Sequence, residues 1–343
     1  MSQSTTHSNP STADHRYLRP ADLQRLRRLR FAPRKRVEGV YAGRHASRQR
    51  GQSVEFADYR EYTPGDDIHN VDWKVYGRSD RLFVKRFEHQ TNMSVHLLLD
   101  ASASMGFRGV DADHRNGEGD DAKATTMNRL RAAIGRRARP AGRSSLKYDH
   151  AARLAGAVAL LTLSQQDRVS LSIARNGLAS HVPSQGRMPR LRRLLDEMEA
   201  HRGATRGRAD LAGAIEAVGR LAPRRSVLVV VSDLLEATEP VVKALSRWTA
   251  RGSEVIVFQT LHHNELHLPD LGEAIFTDSE SGRKVRLRVD DLRAAYHDRL
   301  RRRLDAWNAA LRGRGIDHNL VSTDTPYHEA LKRYLFSRTA AWS

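Results

Sequence analysis

Asp100, Ser102 and Ser104 stand at alternate positions directly after the apolar run Val95–Leu99, and a second run, Val227–Val231, ends in Ser232 and Asp233. Carboxylate and hydroxyl oxygens are hard ligands. Two strands that release them at their ends would gather them at the carboxyl edge of a sheet, where α/β proteins hold ligands. That donor set suits Mg²⁺ or Mn²⁺, ions that keep water and open positions. The competing reading of Asp100, Ser102 and Ser104 is a helix cap, because short polar side chains at a strand-to-helix turn accept hydrogen bonds from free backbone N–H groups. A separate stretch, Glu55–Trp73, is dense in carboxylates and aromatics. Asp66, Asp67, Asp72 and His69 would be the acid–base or metal cluster of a metal-dependent hydrolase. The structural reading is favoured, with Asp67 and Asp72 bound to neighbouring backbone and to arginines such as Arg60 and Arg78, and Trp73 and Tyr62 as anchors. No second acid sits at a diagnostic spacing and no water-activating ligand set is present, so no catalytic residue is assigned. A phosphate-cradling glycine loop ending in Lys-Ser/Thr is also missing from the sequence, which excludes a P-loop ATPase.

The elements needed to position the first set are legible from periodicity. Strands are expected at Ser94–Leu99, Val169–Ala174, Ser226–Val231, Glu254–Leu261 and Ile316–Ser322. Helices are expected at Tyr148–Leu163, Pro189–Ala200, Asp210–Leu221, Glu239–Ala250, Asp290–Arg312 and Pro326–Arg338. This βαβα rhythm predicts an α/β fold, a doubly wound and mostly parallel sheet covered by helices on both faces. Ala274–Val289 reads as a β-hairpin turning at Ser279–Gly282, and Ala21–Arg36 as a short basic helix that docks on the body. The domain expectation is a basic, partly disordered segment over 1–38, a small β-rich module over 39–90, and the α/β domain over 91–338 with a polar insertion at 107–145.

The chain has 343 residues, no cysteine and a formal charge of +18. Without cysteine there are no disulfides, thiolate metal sites or cysteine nucleophiles, which fits a reducing compartment. The polar N-terminus lacks a signal-peptide core, and no apolar run reaches the roughly 18 residues of a membrane span. A cytoplasmic location is the expectation. Residues 1–50 carry twelve Lys/Arg against three acids, and Arg129–Lys147 carries seven bases and no acid. Such charge raises nucleic acid as a partner, through counterion release. Aromatics do not interleave with the basic runs as a base-stacking platform requires, so a solvated basic surface is the preferred reading.

The run Arg60–Asp67, followed by Val71-Asp72-Trp73, Leu82–Glu88, the Asp-x-Ser-x-Ser strand end, Ser232-Asp233, the Asp278–Gly282 turn and Thr323–Pro326, resembles the bacterial domain-of-unknown-function 58 family over about residues 35–337. That resemblance implies a von Willebrand factor A-like domain with a metal-ion-dependent adhesion site. By motif, Asp100, Ser102 and Ser104 match its first loop and Asp233 its last acidic position. The middle loop departs from the pattern, with Ala209 at the usual threonine position, leaving Asp210 or Thr205 to supply the missing oxygen. The resemblance also implies a non-enzymatic adaptor that works with a MoxR-type AAA+ ATPase, an ion at the sheet edge bridging to a partner's carboxylate.

Overall fold

The computed structural model describes residues 15–26, 29–31, 54–63, 71–89, 93–109, 146–203, 209–269, 272–277 and 283–340. Two compact units divide the chain, one formed by Met1–Arg34 with Met93–Ser343 and one by Lys35–Asn92.

In the smaller unit, β1 (Val54–Glu61) pairs antiparallel with β2 (Phe83–His89), with a register shift between Phe56 and Asp58. Helix α2 (Trp73–Ser79) lies between them in sequence. Asp72 caps it, Oδ1 accepting from Lys74 N at 2.9 Å, which satisfies one of the donors a helix start leaves open. The cap agrees with the backbone-binding role expected of Asp72. Trp73 is 60% exposed, its ring meeting Tyr76 edge-on at 6.2 Å, so it is not the buried anchor expected. Asp66, Asp67 and His69 lie outside the described residues.

The larger unit is built on a six-stranded sheet. Its strands in chain order are β3 (Ser94–Asp100), β4 (Arg168–Ala174), β5 (Leu178–Gln185), β6 (Val227–Ser232), β7 (Glu254–Leu261) and β10 (Asp317–Ser322). Their spatial order is β10-β7-β6-β3-β4-β5, parallel except for β5, which runs antiparallel to β4. Counted within the sheet this is 3-2-1-4-5-6, so the winding direction reverses between β3 and β6, the crevice where doubly wound folds bind ligands. The edge strand β5 was not foreseen. It carries Pro183, a residue sheets confine to edges because it lacks an N–H.

Apolar runs such as Val227–Val231 are continuous rather than alternating because both faces are covered. Val227, Val229 and Val231 join one core with Leu97, Leu99 and Phe258, whereas Leu228 and Val230 join the other with Leu98 and Val257. Helices α3 (Lys147–Ser164), α4 (Arg190–Ala200) and α9 (Tyr327–Ala340) contribute to the first core. Helices α5 (Leu211–Leu221), α6 (Thr238–Ala250) and α8 (Val289–Arg312) contribute to the second. Helix α3 is buried nearly all round, and at Gly156 its neighbours pack close. A Cβ there would stand 3.0 Å from Leu195 Cδ2 and 3.7 Å from Leu18 Cγ.

The N-terminal residues belong to this packing. Tyr17, Leu18, Leu26 and Phe31 are buried in the first core. Helix α1 (Pro20–Leu26) is shorter than the expected Ala21–Arg36, because Leu29 N turns back to Leu26 O and Phe31 N bonds Gln165 Oε1 at 3.0 Å, tying the chain to the end of α3. Beyond β7 come the single-turn α7 (His263–Leu266) and a hairpin of β8 (Glu273–Thr277) and β9 (Lys284–Arg288). The expected turn residues 279–282 of that hairpin, and 110–145 of the polar insertion, lie outside the described residues. Among the described residues, no helix is long and apolar enough to cross a membrane.

Candidate functional site

β3 and β6 are hydrogen-bonded neighbours, so their carboxyl ends bring Asp100 and Ser232-Asp233 together at the reversal of winding. Asp100 is 3% exposed and uses both oxygens, Oδ2 accepting from Ser232 Oγ at 2.6 Å and Oδ1 from Ser102 N at 2.8 Å. Ser102 Oγ and Ser104 Oγ lie 3.1 Å apart. The loop from Ala103 to Gly106 is a single 3₁₀ turn, and the Ser102 side chain makes no capping bond to it. The helix-cap reading of the motif therefore fails for Ser102.

Asp233 is 2% exposed. Its Oδ1 accepts from Leu235 N at 3.2 Å and its backbone oxygen from Gln259 Nε2 at 3.0 Å. Leu234 follows with φ +54, a left-handed conformation that costs a side-chain-bearing residue energy and that surroundings must enforce. Ser232 Oγ accepts from Leu234 N at 3.1 Å, and Arg303 of α8 donates to Leu234 O at 3.0 Å and Glu236 O at 2.8 Å. The loop is thus braced from the sheet and from α8.

Three charged residues that sequence reasoning passed over complete the site. Lys147, the first residue of α3, is fully buried. Its Nζ lies 2.8 Å from Asp233 Oδ2 and 2.7 Å from Glu265 Oε1. Glu265 belongs to α7, where its other oxygen accepts from His262 N at 2.7 Å. Glu236 accepts from Leu211 N at 2.9 and 3.1 Å, placing a carboxylate at the positive end of α5. One sequence signal did exist for Lys147: a lysine in a helix's first turn opposes the helix dipole and needs a compensating reason.

Burial and the nearby Asp233 carboxylate raise the Asp100 carboxyl to about 6. Burial also raises Glu236, to about 7, against the Leu211 N–H bond, with Asp100, Asp210 and Asp233 adding to the effect. Burial alone would lower the Lys147 ammonium, but Asp233 and Glu265 outweigh it and hold the group above the ordinary lysine value. His262 falls to about 4, through burial first and then Lys147.

Of the residues expected to ligate a metal, Asp100, Ser102, Ser104 and Asp233 converge. Asp210 caps α5, its Oδ1 accepting from Gly213 N at 2.9 Å, and stands near enough to Glu236 to add to that carboxyl's rise. Ala209 offers no side-chain oxygen, and Thr205 lies outside the described residues. Asp233 Oδ2, the oxygen a metal would need, faces the Lys147 ammonium. Among the described residues no group of three or more His, Asp or Glu is arranged to hold a metal ion. As arranged, the Asp233 carboxylate is already engaged by a cation, unlike a carboxylate standing open to Mg²⁺ or Mn²⁺.

Residues 58–127 and 139–305 match the family model described as protein of unknown function DUF58. Among curated proteins, uncharacterised proteins of Mycobacterium tuberculosis and Mycobacterium bovis are 26% identical over 321 residues, covering 91% of this chain and 88% of theirs. Among solved structures, the conserved hypothetical protein BatB of Bacteroides thetaiotaomicron aligns at 11% identity and TM-score 0.37, over 72% of this chain and 99% of that one. An aerotolerance-related membrane protein of Bacteroides fragilis aligns at 12% identity and TM-score 0.36, over 72% and 100%. Scores this low carry no weight for the fold, which rests on the sheet order and the two helical layers. The family match spans well over half the chain, and the chain belongs to the DUF58 family.

Proposed function

We propose that this DUF58 protein is a non-enzymatic, protein-binding adaptor with a von Willebrand A-like α/β domain, and that the crevice between β3 and β6 is its binding site. The observation that carries the reading is the convergence of Asp100, Ser102, Ser104, Ser232 and Asp233 at the reversal of winding, in a loop held left-handed at Leu234 and braced by Arg303. Strain maintained in a buried, cross-braced loop is a mark of a functional site rather than of packing. Among the described residues of the crevice most groups are spent on one another and on backbone, which favours recognition over turnover. By family resemblance the partner is a MoxR-type AAA+ ATPase.

Ser104 is the most accessible of the converging hydroxyls and can be removed without unpairing Asp100. Titrating the purified MoxR-type ATPase of the same organism onto wild type and Ser104→Ala should show binding that the variant weakens at least about tenfold, the loss of about 1.4 kcal/mol. Equal affinity of the two proteins would remove the crevice from the interface. A nucleic-acid-binding role stands second, supported by Lys284, Arg286 and Arg288, all exposed and on one face of the β8–β9 hairpin. It requires binding that weakens steeply with salt, and no retardation of DNA or RNA at low salt would end it.

A further inference from the structure

We infer that the Lys147 ammonium is the resident cation of the crevice, standing where the adhesion-site pattern calls for a divalent ion. The inference deepens the protein-binding reading above and rests on it for what the crevice is for, though not for how its charges are balanced. Lys147 Nζ lies between Asp233 Oδ2 at 2.8 Å and Glu265 Oε1 at 2.7 Å, with none of the lysine exposed. It is no wandering surface side chain. Its backbone N–H donates to Phe107 O at 2.9 Å, so the helix start is fixed beside the Asp100–Met105 loop.

A cation buried at a helix N-terminus is doubly disfavoured, by lost hydration and by the partial positive charge of the open N–H groups. It persists only where carboxylates compensate it, and two do. A divalent ion bound through Asp233 would have to share that carboxylate with the ammonium, and the two cations would repel within a poorly solvated crevice. Most of the remaining oxygens already have other partners. Asp100 is held by Ser232 and Ser102 N, Ser102 and Ser104 face each other, Glu236 takes Leu211 N and Asp210 takes Gly213 N. Position 209, which would complete an ion's shell, is alanine. A tethered ammonium cannot dissociate, so the crevice keeps its charge balance at any divalent-ion concentration.

Calorimetric and thermal-shift titration of the full chain with MnCl₂ alone, without any partner, tests this. Wild type and Asp233→Asn should give the same Mn²⁺ response, showing no ion bound through Asp233. Lys147→Met, which frees the carboxylates, should gain a Mn²⁺-dependent rise in Tm, and Lys147→Met/Asp233→Asn should lose that gain. Should Lys147→Met fold only with Mn²⁺ present, that too supports the inference. Binding of Mn²⁺ by wild type that disappears in Asp233→Asn overturns it, and that comparison stands even if Lys147→Met does not fold at all. Because no partner enters the titration, a failure here leaves the adaptor reading intact, and loss of the adaptor reading leaves this result intact.

Discussion

Replacing Lys147 by methionine removes the charge at nearly constant volume and leaves Asp233 and Glu265 facing each other across the vacated position. At an effective dielectric of about 20, each contact near 2.8 Å is worth roughly 6 kcal/mol of attraction. Desolvating the ions returns several kcal/mol of that. The measurable quantity is smaller and comes chiefly from the carboxylates left behind, and removing one partner of a buried pair costs about 3–5 kcal/mol. For a unit of this size that corresponds to a fall in Tm of very roughly 10 °C. Urea unfolding followed by tryptophan fluorescence suits the measurement, since Trp248 and Trp307 are buried in the second core. Lys147→Met/Asp233→Asn should recover at least about 1 kcal/mol of the single variant's loss, the signature of a coupled pair. A Lys147→Met protein within about 0.5 kcal/mol of wild type would refute the reasoning, because surface substitutions behave that way and buried ion pairs do not.

Three further outcomes are expected. Gly156→Val should destabilise by about 1–3 kcal/mol in the same unfolding assay, since its side chain must displace Leu195 and Leu18. Ser232→Ala takes one charge-assisted bond from a buried carboxylate and should cost about 1.5–3 kcal/mol; it should also raise the Asp100 carboxyl above about 6, read as a shifted pH dependence of stability. Acidification should weaken the fold. Burial lowers His96, His150, His262 and His318 to about 4, so between pH 6.5 and 4 the unfolded chain binds more protons and stability falls with pH. Asp100 and Glu236, raised to about 6 and about 7, act in the opposite sense and gain stability over the same descent. From pH 7 to 5 four histidines act against two carboxyls, so the histidines prevail and the net effect is a loss on the order of 1–5 kcal/mol. Urea midpoints at the two pH values check it, and a protein more stable at pH 5 would contradict it.

Most of the scaffold could be read directly from the residues. Val95–Leu99 and Val227–Val231 are short, continuous and β-branched or leucine-rich, which is what a strand buried on both faces requires. The apolar spacing of Leu191, Leu194, Leu195 and Met198 likewise fixes α4 as a one-faced helix, and those four residues are the ones it buries. Ala21–Arg36 misled because its leucine spacing continues past the point where Phe31 is tied to Gln165, a contact 134 residues distant. Strand β5 was missed because Leu178–Gln185 is mostly half-exposed and interrupted by proline, so its pairing with β4 supplies an order that local pattern does not.

The sequence by itself placed Asp100, Ser102, Ser104 and Asp233 at one edge of a sheet, because two apolar strands of matched length end in them and strand ends of a parallel sheet share an edge; that the two strands are neighbours came from the structure. Only the tertiary structure decided what stands opposite them. Lys147, Glu236 and Glu265 reach the crevice from the starts of α3, α5 and α7 (two as helix residues, Glu236 by capping α5 from a neighbouring loop), and helix starts converge only once the helices have packed. Charge compensation depends on distances of about 3 Å between residues up to 118 positions apart, and linear spacing carries no information about them. A motif that reads as a metal site along the chain thus has, in three dimensions, a buried lysine facing its last carboxylate.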